Sequence, residues 1–314
     1  MDAVPRTCRS SRLEGVYVNE DKKRIETEAR EEGDPWEPAP LSGLGERPWL
    51  VLGGGGLKGL SHVGALRAIG EAAVRPAGIV GTSIGALIGA LFAGGMRWSE
   101  LSRLAAELRR DDIIRINRRA VWINGIRQES LFQGGPLRSY IRRVLPVTDW
   151  GELSIPLQVN AVNLGTGLTE WFGVGANTDV SIADAIYASS ALPVFYPPAR
   201  INGGVYVDGG TESQFPLQRA ADLGATGIVG VDVGTGERTR PEQVIKEGML
   251  SIHQRIFAIM SWRKRADLVT GWTAPPLLFV RPELSGFQTF DFDSGEYFVK
   301  EGYRATRAAL VRGV

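Results

Sequence analysis

The chain has 314 residues, with 36 Lys and Arg against 35 Asp and Glu, two histidines and one cysteine. This length can bury the core of one α/β domain, and the balanced charge gives no overall electrostatic case for nucleic-acid binding. A single cysteine, Cys8, excludes an intramolecular disulfide framework and a structural zinc site built from thiolates.

The first 46 residues are polar and rich in charges, and they end in a run spaced by prolines, DPWEPAPLSGLGERP. Such a segment has little apolar surface to offset the entropy lost on ordering, so residues 1–46 are predicted to be a flexible leader and residues 47–314 the folded domain. The leader lacks the apolar run of a signal peptide, which together with the single cysteine predicts a cytoplasmic location.

The folded domain begins with two similar segments, each a short apolar run, a glycine turn and apolar residues at helical spacing. These segments, residues 49–72 and 77–95, each predict a strand, a tight loop and a helix. The uncharged stretch 76–96 is long enough to cross a bilayer, but its six glycines favour the strand, turn and helix instead.

Further strands and helices follow at short intervals. Residues 155–174 predict two strands joined by a glycine turn, and Ser181 is a plausible N-cap for a helix over the residues after it. Strands are predicted within 203–210, 226–234 and 275–282, and helices within 215–225 and 295–313. This alternation predicts a mainly parallel sheet covered by helices on both faces.

The first glycine motif, GGGGLKG at 53–59, matches the spacing of a dinucleotide fingerprint. A ribose-binding acid should then end the next strand, but that strand ends in IVGTS. It is not a Walker A loop either, because Lys58 is followed by Gly59 and Leu60. The loop instead offers backbone N–H groups beside a helix N-terminus, which can stabilise a phosphate or a developing oxyanion.

The second motif, Gly81-Thr82-Ser83-Ile84-Gly85, fits G-x-S-x-G between a strand and a helix. Glycine two residues on either side relieves the crowding at a sharp turn and lets Ser83 project its hydroxyl. The helix N-terminus also favours negative charge near that hydroxyl. In this context the motif predicts that Ser83 is a nucleophile.

A serine nucleophile needs a base, and the two histidines are poorly placed for that role. His62 follows the glycine loop within a helix, and His253 lies in a helical segment without turn residues. A buried carboxylate can serve if burial raises its pKa. Asp208, before Gly209 and Gly210 at a strand end, is the first candidate, and Asp232, also at a strand end, is the alternative.

Taken together, the motifs resemble the patatin-like phospholipase family, in which a G-G-G-x-[KR]-G loop, G-x-S-x-G and D-G-[GA] follow in that order. The chain has GGGLKG at 54–59, GTSIG at 81–85 and DGG at 208–210, and ASSALPVFYPP at 188–198 is also similar. The resemblance covers about residues 48–233 and implies a three-layer α/β/α fold and hydrolysis of lipid acyl esters without metal or cofactor. It implies a Ser83–Asp208 dyad, an oxyanion hole at Gly54, Gly55 and Gly56, and supporting roles for Lys58, Gly59, Gly81, Gly85, Gly209 and Gly210.

One segment is strongly basic, since residues 97–143 contain eleven arginines and five acidic residues. Interleaved apolar residues make it amphipathic, which is compatible with a surface attracted to anionic lipid or with an ordinary solvated helix face. Two alternative functions also remain open for the whole chain: acyl transfer by the same dyad, and a catalytically silent lipid-binding protein of the same fold.

Overall fold

The structure is a computed structural model that describes residues 36–117, 128–234, 236 and 241–314. Most of the predicted leader lies outside these residues, so its flexibility stays a prediction. Residues 37–46 are described and belong to the same compact unit as the rest of the domain. There Leu44 is buried, and the Ala39 N–H donates to the Leu310 carbonyl at 2.9 Å.

Strands form at the predicted apolar runs. Within the described residues they are β1 (Pro48–Leu52), β2 (Gly78–Gly81), β3 (Leu157–Asn163), β4 (Thr169–Gly173), β5 (Ala199–Ile201), β6 (Gly204–Asp208), β7 (Gly227–Val231) and β8 (Leu277–Val280). They make one sheet in the order β5-β6-β3-β2-β1-β7-β8, with β4 also paired to β3.

The centre of this sheet is parallel, because β1 pairs in parallel with β2 and β7, β2 with β3, and β7 with β8. Every residue of β1, β2 and β7 is buried, as expected for parallel strands covered on both faces. β4 and β6 run antiparallel to β3, and β5 runs antiparallel to β6. The predicted mainly parallel sheet is therefore confirmed, with an antiparallel region around β3.

Helices form at each predicted position, and four further helices lie within the described parts of residues 98–144 and 241–246, where no individual helix was predicted. Within the described residues the helices are α1 (Ser61–Glu71), α2 (Ile84–Ala93), α3 (Trp98–Glu107), α4 (Arg110–Ile113), α5 (Gly134–Val144), α6 (Ile182–Ser190), α7 (Leu217–Asp222), α8 (Pro241–Lys246), α9 (Met249–Thr270) and α10 (Gly295–Arg312). Ser181 caps α6 as predicted, since its side chain accepts a hydrogen bond from the Asp184 N–H.

Helices cover both faces of the sheet. On one face α2 packs on β1, β2 and β3, where Gly89 lies against the side chains of Leu52 and Ile79. On the other face Trp49, Val51 and their neighbours form a core with α7 and with the last turn of α9. The three-layer α/β/α arrangement is confirmed.

The uncharged stretch 76–96 divides as predicted into β2, a turn and α2. Among the residues that the structure describes, no helix has both the length and the hydropathy needed to span a bilayer.

Helices α1 and α10 touch backbone to backbone. A Cβ added at Gly64 of α1 would lie 1.9 Å from the Val299 carbonyl oxygen, and one added at Gly302 of α10 would lie 1.9 Å from the Ser61 carbonyl oxygen. The guanidinium of Arg67 also stacks on the Tyr303 ring, with its carbon 4.4 Å from the ring centroid. Because α1 follows the glycine loop directly, this contact fixes the helix that supports the loop.

We expect Gly64→Ala to destabilise the protein by about 1–3 kcal/mol or more, because the added methyl must push α10 away. Gly70→Ala on the same helix is the matched control. A Cβ there meets nothing within 4 Å, so it should be neutral or stabilising by ~0.5–1 kcal/mol. Urea unfolding monitored by circular dichroism measures both changes. Equal stability of the two variants would contradict the close packing.

Candidate active site

Ser83 occupies a sharp turn between β2 and α2. Its backbone has φ 55° and ψ −121°, in the positive-φ region that side-chain-bearing residues rarely adopt. Gly81 ends β2, and Gly85 lies so close to β1 that an added Cβ would be 2.1 Å from the Leu52 carbonyl oxygen. The predicted strand, turn and helix are observed, and the turn holds Ser83 at the end of the sheet.

Strand direction brings Ser83 and Asp208 together. β2 pairs with Leu157–Val159 of β3 and β6 pairs with Ala161–Asn163. Because β4 occupies the other edge of β3 over Gln158–Val162, β2 and β6 share one edge. β2 runs parallel to β3 and β6 runs antiparallel, so the two strands end facing each other. Asp208, the last residue of β6, therefore lies just beyond the end of β2.

The Ser83 side chain lies beside the Asp208 carboxyl, where hydrogen bonding from its hydroxyl acts to lower the pKa of that group. The Gly210 N–H donates to the same carboxylate, at 2.7 Å from Oδ1, within the short 3₁₀ turn that begins at Gly209. Asp208 is only 4% exposed. Burial raises the pKa of the Asp208 carboxyl to about 6, although the hydrogen bonds from Gly210 and Ser83 act in the opposite direction.

Residues that the motifs did not single out support this pair. The Ser83 N–H donates to Ser189 Oγ at 2.9 Å, and the Asp208 N–H donates to the Ala191 carbonyl at 3.0 Å. Both acceptors lie in residues 188–198, the segment ASSALPVFYPP that is similar to the family. The structure thus gives this segment a supporting position beside Ser83 and Asp208. The Thr82 hydroxyl donates to Asn160 Oδ1 at 2.9 Å beneath the turn, and nothing in the sequence pattern indicated Asn160.

The glycine loop at 53–56 lies beside Ser83, but its N–H groups differ in availability. The Gly53 N–H donates to the Val231 carbonyl at 3.0 Å and the Gly54 N–H to the Gln214 carbonyl at 2.9 Å. In the described part of the chain, the N–H groups of Gly55 and Gly56 have no acceptor. Gly54 is therefore engaged, and Gly55 and Gly56 carry the N–H groups that remain to receive an anion.

Lys58 and His62 both brace this loop. Lys58 and Gly59 lie in the 3₁₀ turn Gly56–Leu60, where Lys58 is 5% exposed and its Nζ donates to the Phe287 carbonyl at 3.4 Å. His62 is fully buried, and its Nε2 donates to the Gly53 carbonyl at 2.8 Å. Burial lowers the pKa of His62 to about 4, so its ring is neutral near pH 7. Its Nε2–H is used in the hydrogen bond to the Gly53 carbonyl.

Asp232, the alternative base, is paired elsewhere. Its carboxylate lies 3.1 Å from Arg265 Nε and accepts the Gly234 N–H at 3.0 Å. Both partners of this ion pair are almost fully buried. The guanidinium of Arg265 also bonds to the side chain of Gln214. The carbonyl of the same Gln214 accepts the Gly54 N–H, so the Asp232–Arg265 pair connects α9 to the residue that binds Gly54.

A cavity of about 180 Å³ extends from the Ser83 hydroxyl into the helical layer. Asp208 and the glycine loop line one end, and His253 of α9 also reaches its wall. Apart from these groups its wall is largely apolar and comes mainly from α2, α3, α5 and α9. It includes Leu87, Leu91, Leu101, Leu104 and Leu137. An apolar channel with a few convergent polar groups at one end is typical of a site for a ligand with a hydrocarbon chain.

Many arginines of the basic segment, residues 97–143, are already paired with acids. Arg143 bonds to Asp112 at 2.5 Å, and Arg138 bonds to Asp184 at 3.0 Å. Arg118, Arg119 and Arg127 lie outside the described residues. Arg103, Arg109, Arg110 and Arg115 make no ion pair with any described residue.

Comparison with known proteins gives several relatives. The chain is 27% identical over 284 residues to patatin-like phospholipase domain-containing protein 6 of Mus musculus, which covers 83% of this chain and 20% of the relative. It is 29% identical over 189 residues to an uncharacterized NTE family protein of Mycobacterium bovis, covering 60% of this chain and 49% of the relative. The chain thus spans about a fifth of the first of these relatives and about half of the second.

Among solved structures, VipD from Legionella pneumophila aligns with 87% of this chain and 67% of its own, at a TM-score of 0.47 and 17% identity. A family model described as patatin-like phospholipase matches residues 50–221, which is more than half of the chain and includes all three motifs. The chain belongs to the patatin-like phospholipase family.

Proposed function

We propose that the chain is a serine esterase that hydrolyses acyl esters of lipids, in the manner of a phospholipase A or a lysophospholipase. One observation carries the proposal: the Ser83 hydroxyl lies beside the buried Asp208 carboxyl at one end of a largely apolar cavity. Neither histidine is bonded to that hydroxyl within the described residues. A nucleophile, its base and a site for an acyl chain are thus in one place.

In the first step Ser83 Oγ attacks the ester carbonyl carbon while Asp208 accepts the hydroxyl proton. The carbonyl oxygen becomes an oxyanion, and the N–H groups of Gly55 and Gly56 stabilise it. Each well-placed donor of this kind is worth about 3 kcal/mol of barrier. The tetrahedral intermediate collapses, and the leaving alcohol takes the proton from Asp208.

In the second step water attacks the acyl–Ser83 ester and Asp208 again accepts a proton. Collapse of this second intermediate restores the Ser83 hydroxyl and releases the fatty acid. A carboxylate can act twice as a base only if it regains its ionised form. Burial raises the pKa of Asp208 to about 6, so the carboxyl is ionised near neutral pH. It also has a higher proton affinity than an exposed aspartate, which favours its role as a proton acceptor.

The cavity supports a substrate with a long acyl chain. Transfer of each CH₂ group from water into an apolar environment contributes about 0.8 kcal/mol, so several methylenes along Leu87, Leu91 and Leu101 hold the chain while the ester lies at Ser83. Peripheral contact with anionic membranes by the basic segment, a cytoplasmic location and the absence of a metal or cofactor in the reaction stay predictions. Four described arginines, Arg103, Arg109, Arg110 and Arg115, are the ones left for such contact.

Labelling with a fluorophosphonate probe tests the nucleophile. The native chain should react, and Ser83→Ala should abolish labelling and lower kcat by at least ~10³-fold. Asp208→Asn should lower kcat by ~10²–10⁴-fold, because the proton acceptor is lost. Hydrolysis of p-nitrophenyl butyrate measures turnover. Equal labelling of Ser83→Ala would refute the assignment of the nucleophile.

Asp232→Asn separates the two candidate bases. This change leaves Arg265 buried without its counter-ion, which typically costs about 3–5 kcal/mol of stability. Its folding is therefore checked by circular dichroism before turnover is compared at a temperature where it is folded. A folded Asp232→Asn that loses turnover, together with an active Asp208→Asn, would show that the base is Asp232.

The pH dependence tests the protonation state of the base. Asp208 must be ionised to accept a proton, so kcat/KM for p-nitrophenyl butyrate should fall as the pH drops through about 6, the raised pKa of the buried carboxyl. An aspartate with an ordinary pKa would place this limb near ~4. His62 cannot supply a limb near 6, because burial lowers its pKa to about 4. His253→Asn is the control, and loss of the limb in that variant would assign the titration to His253.

A further inference from the structure

Helix α9 has an unusual relation to solvent. Of its 22 residues only Arg265 is buried, while four large apolar side chains on its first three turns are exposed. Met249 is 80% exposed and Met260 is 66% exposed, and Ile252 and Ile256 lie between them. Their spacing of three and four residues places them on one face of the helix. Ile245 of α8, 67% exposed, adds to the same stretch of chain.

We name this set of five residues the α9 ridge: Ile245, Met249, Ile252, Ile256 and Met260. They are five of the twelve large apolar residues that are exposed among the described residues. The others lie singly or in pairs elsewhere, for example Leu164 and Leu168 in the turn between β3 and β4. Scattered exposed apolar residues are ordinary, whereas a continuous apolar surface marks an interaction site.

The opposite face of the same helical turns forms a wall of the active site. Gln254, Phe257, Ala258 and Ser261 line the cavity that contains Ser83. The α9 ridge and the cavity are therefore separated by the thickness of one helix, about 10 Å. Whatever binds the ridge lies against the same structural element that encloses the acyl site.

From Met249 to Lys264 the charged side chains near the α9 ridge are positive, whereas Glu242 and Glu247 lie close to Ile245 in the chain. Residues 249–260 contain no acidic side chain. Arg255 and Arg263 make no ion pair with any described residue, whereas Lys264 is already paired with Glu212 and Arg265 with Asp232. Basic residues flanking an apolar helix face are the pattern of a helix that lies in the surface of an anionic bilayer.

Resting on the proposed lipid esterase activity, we propose that the α9 ridge docks the protein on the surface of an anionic lipid bilayer. The apolar side chains enter the boundary between headgroups and acyl chains, and Arg255 and Arg263 contact lipid phosphates. Docking places the cavity wall formed by α9 at the bilayer, where the ester-bearing lipids are. A bilayer fits this surface because the α9 ridge is apolar and has basic residues at its margin. The same helix also lines the cavity proposed to bind lipid esters.

The anchoring of α9 fits this geometry. Its last turns are held by the buried pair of Arg265 with Asp232, and Leu268 and Val269 pack against the sheet core. Residues 249–260 of α9 carry four of the five residues of the α9 ridge, and none of residues 249–260 is buried. The helix is thus fixed to the domain at one end and presents apolar side chains to solvent at the other.

Vesicle flotation tests the proposal, with Ser83→Ala as the background so that no lipid is hydrolysed during the measurement. We expect the double variant Met249→Ser/Ile256→Ser to bind vesicles of phosphatidylcholine and phosphatidylglycerol at least about tenfold more weakly than the background alone. Leu164→Ser/Leu168→Ser is the matched control, because it removes two exposed apolar side chains that lie outside the α9 ridge, and it should bind like the background. Arg255→Gln/Arg263→Gln should weaken binding to these vesicles and not to vesicles of phosphatidylcholine alone.

The catalytic site is measured separately. With Ser83 present, Met249→Ser/Ile256→Ser should hydrolyse p-nitrophenyl butyrate like the native chain, because neither residue lines the cavity, while hydrolysis of vesicle lipid falls. Undiminished vesicle binding by this variant, equal loss in the control, or a native dimer that the variant dissociates would each overturn the proposal. Failure of the native chain to hydrolyse the soluble ester would instead overturn the esterase activity, and vesicle binding would still report on the α9 ridge.

Discussion

The backbone conformation of Ser83 is the constraint on which the rest of the site depends. A residue with a side chain at φ 55° and ψ −121° is strained by about 1–3 kcal/mol, and the surroundings must hold it there. Two contacts do so: Gly85 lets α2 approach the end of β1, and Ser189 Oγ accepts the Ser83 N–H. Without either contact the turn would relax, and the hydroxyl would leave both Asp208 and the glycine loop.

Burial and hydrogen bonding together set the pKa of Asp208, the proposed base. Burial alone would favour a neutral carboxyl, while the Gly210 N–H and the Ser83 hydroxyl stabilise the ionised form. The balance leaves a pKa of about 6, which suits a general base near neutral pH. Burial has the opposite effect on a cation and lowers the pKa of His62. The ring of His62 donates to the Gly53 carbonyl.

The parts of the site that could be predicted from the sequence are those set by neighbouring residues. The turn at Ser83, the cap at Ser181 and the central strands follow from local patterns, and structure agrees with each. Contacts between distant residues could not be predicted in this way. The Gly54 N–H donates to the carbonyl of Gln214, 160 positions later, so Gly55 and Gly56 are left as the proposed oxyanion donors. Asp208 was expected at the end of a strand in a parallel sheet, and it reaches Ser83 because β6 runs antiparallel. The exposed face of α9 could not be predicted from the sequence either, because apolar residues occur on both sides of the helix.

One chain of contacts links the oxyanion loop to α9. The Gly54 N–H depends on the Gln214 carbonyl, the Gln214 side chain bonds to Arg265, and Arg265 is held by Asp232. Arg265, the residue of α9 that takes part in these contacts, lies in the last turns of the helix. Among the described residues, the first turns of α9 line the cavity and carry most of the α9 ridge, and they make no hydrogen bond to the loop. The helix thus divides into an end that is bonded to Gln214 beside the glycine loop and an end that carries exposed apolar side chains. A substitution on the α9 ridge is therefore expected to leave the proposed oxyanion donors in place.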